Sequence, residues 1–301
     1  MRILISGASG LIGEALSDRL NGDGRQVVRL VRDRCQLGET AILWDPDSGI
    51  LESRDLQGID AVIHLAGENI AAGRWTPARK ARIMESRERG TRLLAETAAQ
   101  LDPKPRVFVS ASAVGFYGDR GDEILTEESA PGQGFVAEVC RNWERSTQPA
   151  SAAGIRVVRL RFGIVLSPNG GALKKMIPPF RWGLGGPIAG GRQWMSWISL
   201  DDAVSAVVHA IDCPDLIGAV NVVSPEPARN ARFTKALAQA LRRPAFFPIP
   251  GIALKALFGE MGEATALASA RALPVRLEAS GFTFQQPNLQ KALLTLLSRS
   301  S

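Results

Sequence analysis

Tyrosine is almost missing from this chain: Tyr117 is the only one in 301 residues, beside three cysteines and two histidines. Each shortage excludes something. Cys35, Cys140 and Cys213 are odd in number, scattered and without C-x-x-C spacing. That rules out a disulfide framework and a cysteine zinc site. With His64 and His209 as the only histidines, no metal site is expected. No apolar run is long enough to span a bilayer. The run at residues 3–5 is too short for the apolar core of a signal peptide, and Gly7 follows at once. The expectation is a cytoplasmic protein with no membrane partner.

Charge is moderate in amount and basic in sign, with a net +6. Arg74, Arg79, Lys80, Arg82, Arg87, Arg89 and Arg92 stand close together, against Glu85 and Glu88. Glu85/Arg89 and Glu88/Arg92 have the spacing of paired charges on an exposed helix. No aromatic ladder accompanies them, so no nucleic acid partner is expected.

What is present is an alternation. Short apolar runs at residues 2–6, 26–31, 41–44, 61–65, 106–110 and 155–160 read as buried strands. Between them, residues 11–20, 77–100 and 135–153 have helical spacing, with Pro77 suited to a helix start. The expected fold is α/β: a Rossmann-type doubly wound parallel sheet with a smaller, mainly helical C-terminal lobe. The pattern changes after Arg161. Residues 170–191 are rich in Gly and Pro, residues 203–211 read as a helix and residues 219–223 as one more sheet strand. The expected division is 1–165 for the nucleotide-binding domain, with 198–224 returning to it. Residues 166–197 and 225–301 then form the smaller lobe. Residues 183–197, with glycine hinges and Trp194 and Trp197, are expected to act as a lid or to pack the lobes together.

Gly7-Ala8-Ser9-Gly10-Leu11-Ile12-Gly13 lies between the first strand and the first helix. Gly7 permits the tight turn, Gly10 a close approach of backbone to a pyrophosphate, and Gly13 the packing of helix on strand. The helix start adds free N–H groups and the positive end of its dipole. A dinucleotide is therefore expected here. The second strand ends at Val31 without the acid that an NAD site uses for the ribose 2′-hydroxyl, and Arg32 follows. A guanidinium holds a 2′-phosphate where a carboxylate repels it, which favours NADP(H). Asp33, one residue further on, is the opposing feature.

Gly7-x-x-Gly10-x-x-Gly13, Val62-Ile63-His64-Leu65-Ala66-Gly67, Ser110-Ala111-Ser112 with Phe116-Tyr117-Gly118, and Trp197-Ile198-Ser199-Leu200-Asp201-Asp202 occur in that order. Together they resemble the extended short-chain dehydrogenase/reductases of the NAD-dependent epimerase/dehydratase family. Gly67-Glu68-Asn69, Arg74-Trp75, Ser86-Arg87, Gly170-Gly171-Ala172, Gly185-Gly186 and Gly281-Phe282 are similar to its "epimerase family protein" branch, which carries a C-terminal domain of unknown function. The resemblance implies that Gly7, Ser9, Gly10, Leu11, Ile12 and Gly13 hold the pyrophosphate and Arg32 the adenosine phosphate. It implies that Leu65, Ala66 and Gly67 line the cofactor, Arg87 faces its ribose or phosphate, and Ile164 lies near the nicotinamide. It also implies pairing of two copies through the long helices at 77–100 and 135–153.

Ordinary family members use a Tyr-x-x-x-Lys pair on the helix after the fifth strand, whose lysine lowers the tyrosine pKa for proton exchange. This chain departs from that pattern. Its corresponding stretch reads Gly134-Phe135-Val136-Ala137-Glu138-Val139-Cys140, and no lysine stands between Lys104 and Lys174. Tyr117 and Ser112 are the candidate catalytic groups in its place. Arg87, Arg141 or Glu138 organising a water is a second route. Two functions remain open: an NADP(H)-dependent oxidoreductase on a small carbonyl or alcohol compound, and a catalytically silent NADP(H) sensor.

Overall fold

The computed structural model describes residues 1–38 and 40–298. Seven parallel strands form the central sheet: β1 (Arg2–Ser6), β2 (Gln26–Val31), β3 (Ala41–Leu43), β4 (Ala61–His64), β5 (Val107–Ala113), β7 (Arg156–Phe162) and β11 (Gly218–Val222). The short β6 (Ile124–Leu125), β8 (Ile164–Leu166), β9 (Trp194–Met195) and β10 (Trp197–Ser199) lie outside it. The sheet order is β11-β7-β5-β4-β1-β2-β3. Strand order therefore reverses beside β1, and open sheets of this kind place a ligand at the carboxyl ends of the strands there.

The strands are continuous apolar runs because both faces are covered. Ile3 and Ile5 point to the face of α1 (Leu11–Gly22) and α6 (Leu200–Asp212), where they meet Leu16, Leu20, Ala203 and Val207. Leu4, Val62 and Phe108 point the other way, to Leu94, Ala95 and Ala98 of α2 (Pro77–Ala99) and Ala150 of α4 (Gln148–Ala152). Between them in sequence, α3 (Phe135–Arg145) packs beside α2.

The second lobe gathers α5 (Gly171–Arg181), the parallel pair β8–β10 and α7 (Asn230–Leu241) around Leu173, Ile177, Phe180, Trp197, Phe233 and Leu237. The antiparallel pair of β9 and β12 (Ala228–Arg229) braces it. The chain continues through α8 (Gly251–Phe258), the single turn α9 (Glu260–Gly262), β13 (Arg271–Ala272), α10 (Val275–Ala279) and α11 (Leu289–Ser298). β13 pairs with β6, which ties this lobe to the loop after β5. Asp202 in the first turn of α6 accepts the amides of Gln285 and Gln286 at 2.7 and 3.0 Å, anchoring the approach to α11. Among the described residues, no helix is long and apolar enough to cross a membrane.

One sequence expectation is corrected. The helix expected over 135–153 is broken at Ser146 and Thr147. The Ser146 hydroxyl donates to the Asn142 carbonyl at 2.9 Å and the Thr147 hydroxyl to the Glu144 carbonyl at 2.7 Å. Pro149, near the start of α4, has no N–H with which to continue the ladder. The Gly- and Pro-rich stretch contains a helix, α5, with Pro178 and Pro179 inside it. Burial of Leu173, Ile177 and Phe180 along one face outweighs the missing hydrogen bonds.

Candidate functional site

The glycine turn lies at the point where the strand order reverses. A Cβ on Gly7, which has φ +74°, would come within 2.8 Å of the Ala66 amide nitrogen. One on Gly13 would overlap the Gly7 carbonyl oxygen. These two glycines are demanded by the protein's own packing. Gly10 differs: its Cβ would meet only the Gly7 oxygen, at 3.3 Å. The side on which Gly10 would carry a side chain is otherwise open, as a cradle for an approaching phosphate requires. Gly10 caps α1 without a side-chain hydrogen bond, so the first-turn N–H groups have no side-chain acceptor there. The turn thus fits a dinucleotide pyrophosphate.

Around the turn, Ser9 and Gly67 are exposed, and Ile12, Leu65 and Ala66 are half-buried. The Leu65 amide donates to the Ser6 carbonyl at 3.1 Å, fixing the β4 end beside the turn. The Leu11 side chain reaches the second lobe, where Gly170 and Gly171 leave room for it. Ile164 opens β8, paired in register with Trp197.

Arg32 is exposed immediately after β2. Asp33 is committed to local structure: its Oδ1 accepts the Cys35 amide at 2.9 Å, capping a short 3-10 turn. A second acid stands near. Asp45 accepts from the Ser48 hydroxyl and the Asp47 amide, and these bonds, with Arg32's charge adding, hold its carboxyl below the ordinary range.

His64 is wholly buried at the end of β4, with Nδ1 2.6 Å from Ser6 Oγ. Its ring meets Trp44 edge-on. Burial, helped by Arg87's charge, drives its pKa down to about 3, so it is neutral. Arg87 is half-buried; its Nη1 donates to the Glu68 and Ile83 carbonyls at 3.1 and 3.0 Å, and its guanidinium lies 4.8 Å from the Trp143 ring centre. It packs behind Gly67, where a Cβ would stand 3.2 Å from Cζ.

Tyr117 and Ser112 do not stand free at the crevice. Tyr117 has no exposed surface; its hydroxyl donates to Asn221 Oδ1 at 2.7 Å and accepts from Arg161 Nη1 at 2.9 Å. Burial pushes its pKa up, against the pull of Arg161. The Ser112 hydroxyl donates to Glu144 Oε1 at 2.8 Å. Glu144 and Arg161 form a buried two-pronged pair at 2.7 and 2.9 Å. Phe116 lies 3.5 Å from the Arg161 guanidinium carbon. This network joins β5, β7, β11 and α3, and sequence reading missed its centre. Two signals existed: Arg161 directly after the apolar run at 155–160, and Val136, Cys140 and Glu144 at successive steps of four on α3.

One face of α3 carries Val136 and Cys140. Both turn toward Gly115, where a Cβ would overlap Val136 Cγ1 and stand 3.8 Å from Cys140 Sγ. Burial, with Glu144 adding, pushes the Cys140 thiol up to about 12, which leaves it protonated and inert. Along the same helix, Phe135, Glu138 and Arg141 face an open cleft of about 650 Å³, opposite Lys80 and Met84 of α2 and Glu260 of α9.

The segment after β4 crosses from the crevice to this cleft. Trp75 meets the Phe135 ring edge-on at 5.0 Å. Arg74 Nε donates to the Leu257 carbonyl at 3.1 Å and Nη2 to the Ala256 carbonyl. Lys80 pairs with Glu260, and Lys175 Nζ donates to the Ala71 carbonyl at 3.3 Å. Together these contacts strap the second lobe to the first. Of the two roles expected for residues 183–197, a lid or lobe packing, Trp197 takes the packing role. Trp197 is fully buried in the second-lobe core, with its indole N–H on the Glu226 carbonyl at 2.8 Å, and cannot swing. Trp194 sits between Arg229 and Arg271.

A doubly wound sheet, a glycine turn at the point where its strand order reverses, and a second lobe across the crevice define a protein with a dinucleotide-binding architecture. The chain belongs to the NAD dependent epimerase/dehydratase family, which it matches over residues 3–223; residues 249–296 match a domain of unknown function, DUF1731. It is 42% identical to the epimerase family protein Mb2239 of Mycobacterium bovis over 291 residues, 97% of this chain and 96% of that one. The crystal structure of the human epimerase family protein SDR39U1 (isoform 2) with NADPH superposes with a TM-score of 0.91 at 32% identity, covering 99% of each chain. A nucleoside-diphosphate sugar epimerase from Corynebacterium glutamicum has a TM-score of 0.82 at 38% identity, covering 99% of this chain and 58% of that one.

Proposed function

We propose that this chain binds NADP(H) at the glycine turn and uses it as an oxidoreductase on a small carbonyl or alcohol compound. The observation that carries the cofactor choice is the end of β2. Arg32 is exposed there, while the nearest acid in sequence, Asp33, is tied to the Cys35 amide. The human relative's structure with NADPH supports the same choice. Gly7 to Gly13 receive the pyrophosphate, with Ser9 and the first-turn amides of Leu11 and Ile12 as donors. Leu65, Ala66 and Gly67 wall the crevice, and Ile164 flanks its nicotinamide end. Arg87, packed behind Gly67, gives that wall a positive charge.

When bound, NADP(H) supplies a hydride donor or acceptor. The accompanying proton at the substrate oxygen is exchanged with water, since Tyr117 and Ser112 are engaged in buried bonds. Arg87, packed behind Gly67, or Arg141 or Glu138 of α3 organises that water. The test is nicotinamide fluorescence titration with NADPH and NADH, followed by cofactor absorbance across a panel of carbonyls and alcohols. Arg32→Ala is expected to weaken NADPH binding about tenfold or more and NADH binding little. Equal loss for both would overturn the assignment.

One observation favours a second reading. The stretch 134–140, expected to correspond to the usual Tyr-x-x-x-Lys pair, holds neither Tyr nor Lys. A chain that binds NADPH tightly, turns over nothing in the panel and captures a protein partner only in one redox state is a sensor.

A further inference from the structure

Helix α8 buries none of its residues, although it is mostly apolar. Ile252 is 82% exposed and Leu257 66%. Beside it stand Phe246 at 82%, Phe247 at 59%, Trp182 at 76% and Leu184 at 55%. The backbone joins these into one surface. The Phe247 amide donates to the Gly185 carbonyl at 3.3 Å, and the Ile249 amide to the Pro187 carbonyl at 2.9 Å. The Ala189 amide donates back to the Ile249 carbonyl at 2.9 Å. Residues 182–189 therefore run against 244–251, and α8 follows directly from the second of these segments. A contiguous exposed apolar patch marks a surface that meets something else.

Charge says what. Residues 168–200 and 227–259 contain ten Lys and Arg and not one Asp or Glu. Exposed Arg181, Arg242, Arg243 and Lys255 border the patch in sequence, directly beside its aromatic and aliphatic members. Among the described residues, Lys255 pairs with Glu263, while no ion pair engages Arg181, Arg242 or Arg243. Long basic side chains with apolar stems, set around exposed aromatic rings, suit the boundary between lipid headgroups and acyl chains.

We propose that this face docks on an anionic lipid surface. Trp182, Phe246, Phe247 and Ile252 enter the headgroup boundary, and Arg181, Arg242 and Arg243 meet the phosphates. A second copy of the chain would bring two cationic faces together. Single-stranded nucleic acid would stack on the aromatic rings but find no use for Leu184, Ile252 and Leu257. The sequence expectation of no membrane partner followed from the lack of a spanning run, which peripheral docking does not need.

The test is co-sedimentation of the full chain with vesicles of phosphatidylcholine, with and without phosphatidylglycerol. Binding is expected only to the anionic vesicles and is expected to fall as salt rises. Arg242→Glu with Arg243→Glu should lower it about tenfold or more. Phe246→Ser with Ile252→Ser should lower it as strongly, with circular dichroism and NADPH affinity unchanged. Several results would overturn the proposal: no binding to anionic vesicles, equal binding to neutral ones, or wild-type binding by the Phe246→Ser/Ile252→Ser variant. So would a dimer without lipid that Ile252→Glu dissociates, or tighter binding to single-stranded RNA than to anionic vesicles.

Discussion

Glu144 and Arg161 expose 7% and 5% of their side chains, so each is the other's solvent. Removing one leaves a buried charge uncompensated. Glu144→Gln is expected to destabilise the fold by about 3–5 kcal/mol in urea unfolding. Glu144→Leu with Arg161→Met should recover much of that loss, because it removes both desolvated charges together. His64 gives a pH signature. Its pKa falls from 6.5 to about 3 on folding, so the unfolded chain takes up the proton first. Stability is full above pH 6.5, declines as pH falls below it, and the contribution is gone near pH 3. The urea midpoint should follow this window, and His64→Gln should flatten it. Gly7, Gly10 and Gly13 were legible as a tight turn between β1 and α1, because that meaning lies in spacing along the chain. The roles of Tyr117 and Ser112 were not, because Asn221 and Glu144 lie 104 and 32 residues away. Nothing local announces such a bond.

At the scale of elements, parallel strands buried on both faces announce themselves as apolar runs, and β1, β2 and β4 fall where those runs do. Helices were less legible where burial overruled a local signal. Pro178 and Pro179 work against a helix at 171–181, and packing against the core of the second lobe makes α5 one. Two substitutions probe what elements need. The Ser199 hydroxyl oxygen accepts the Asp202 amide at 3.0 Å at the start of α6. Ser199→Ala should cost about 1 kcal/mol in urea unfolding, as loss of a helix cap does. Gly13→Ala would push a methyl into the Gly7 carbonyl oxygen. Opening the turn should cost about 1–3 kcal/mol by the same measurement and weaken NADPH binding, read by fluorescence.

At the scale of the molecule, the two lobes are held across the crevice by the segment after β4. Arg74, Lys80 and Ala71 each contact the second lobe. Arg74→Ala should change global stability by less than about 1 kcal/mol, because exposed polar ties contribute little. It should nevertheless reduce hydrogen-exchange protection at residues 68–76 and 255–259 together, and speed NADPH release. Unchanged protection in both segments would show that the lobes are held elsewhere. This tie joins residues some 180 positions apart, which is why the sequence showed the glycine turn but not what closes over it.

Arg74 grips α8 through the carbonyl oxygens of Ala256 and Leu257, and a carbonyl carries no side-chain identity. Any residue that keeps the helix presents the same two acceptors. Position 74 is therefore the only side chain this clasp must inherit, whereas α8 can be rewritten along its outer face without releasing it. A lineage can change what the outside of α8 meets while keeping the way the two lobes close.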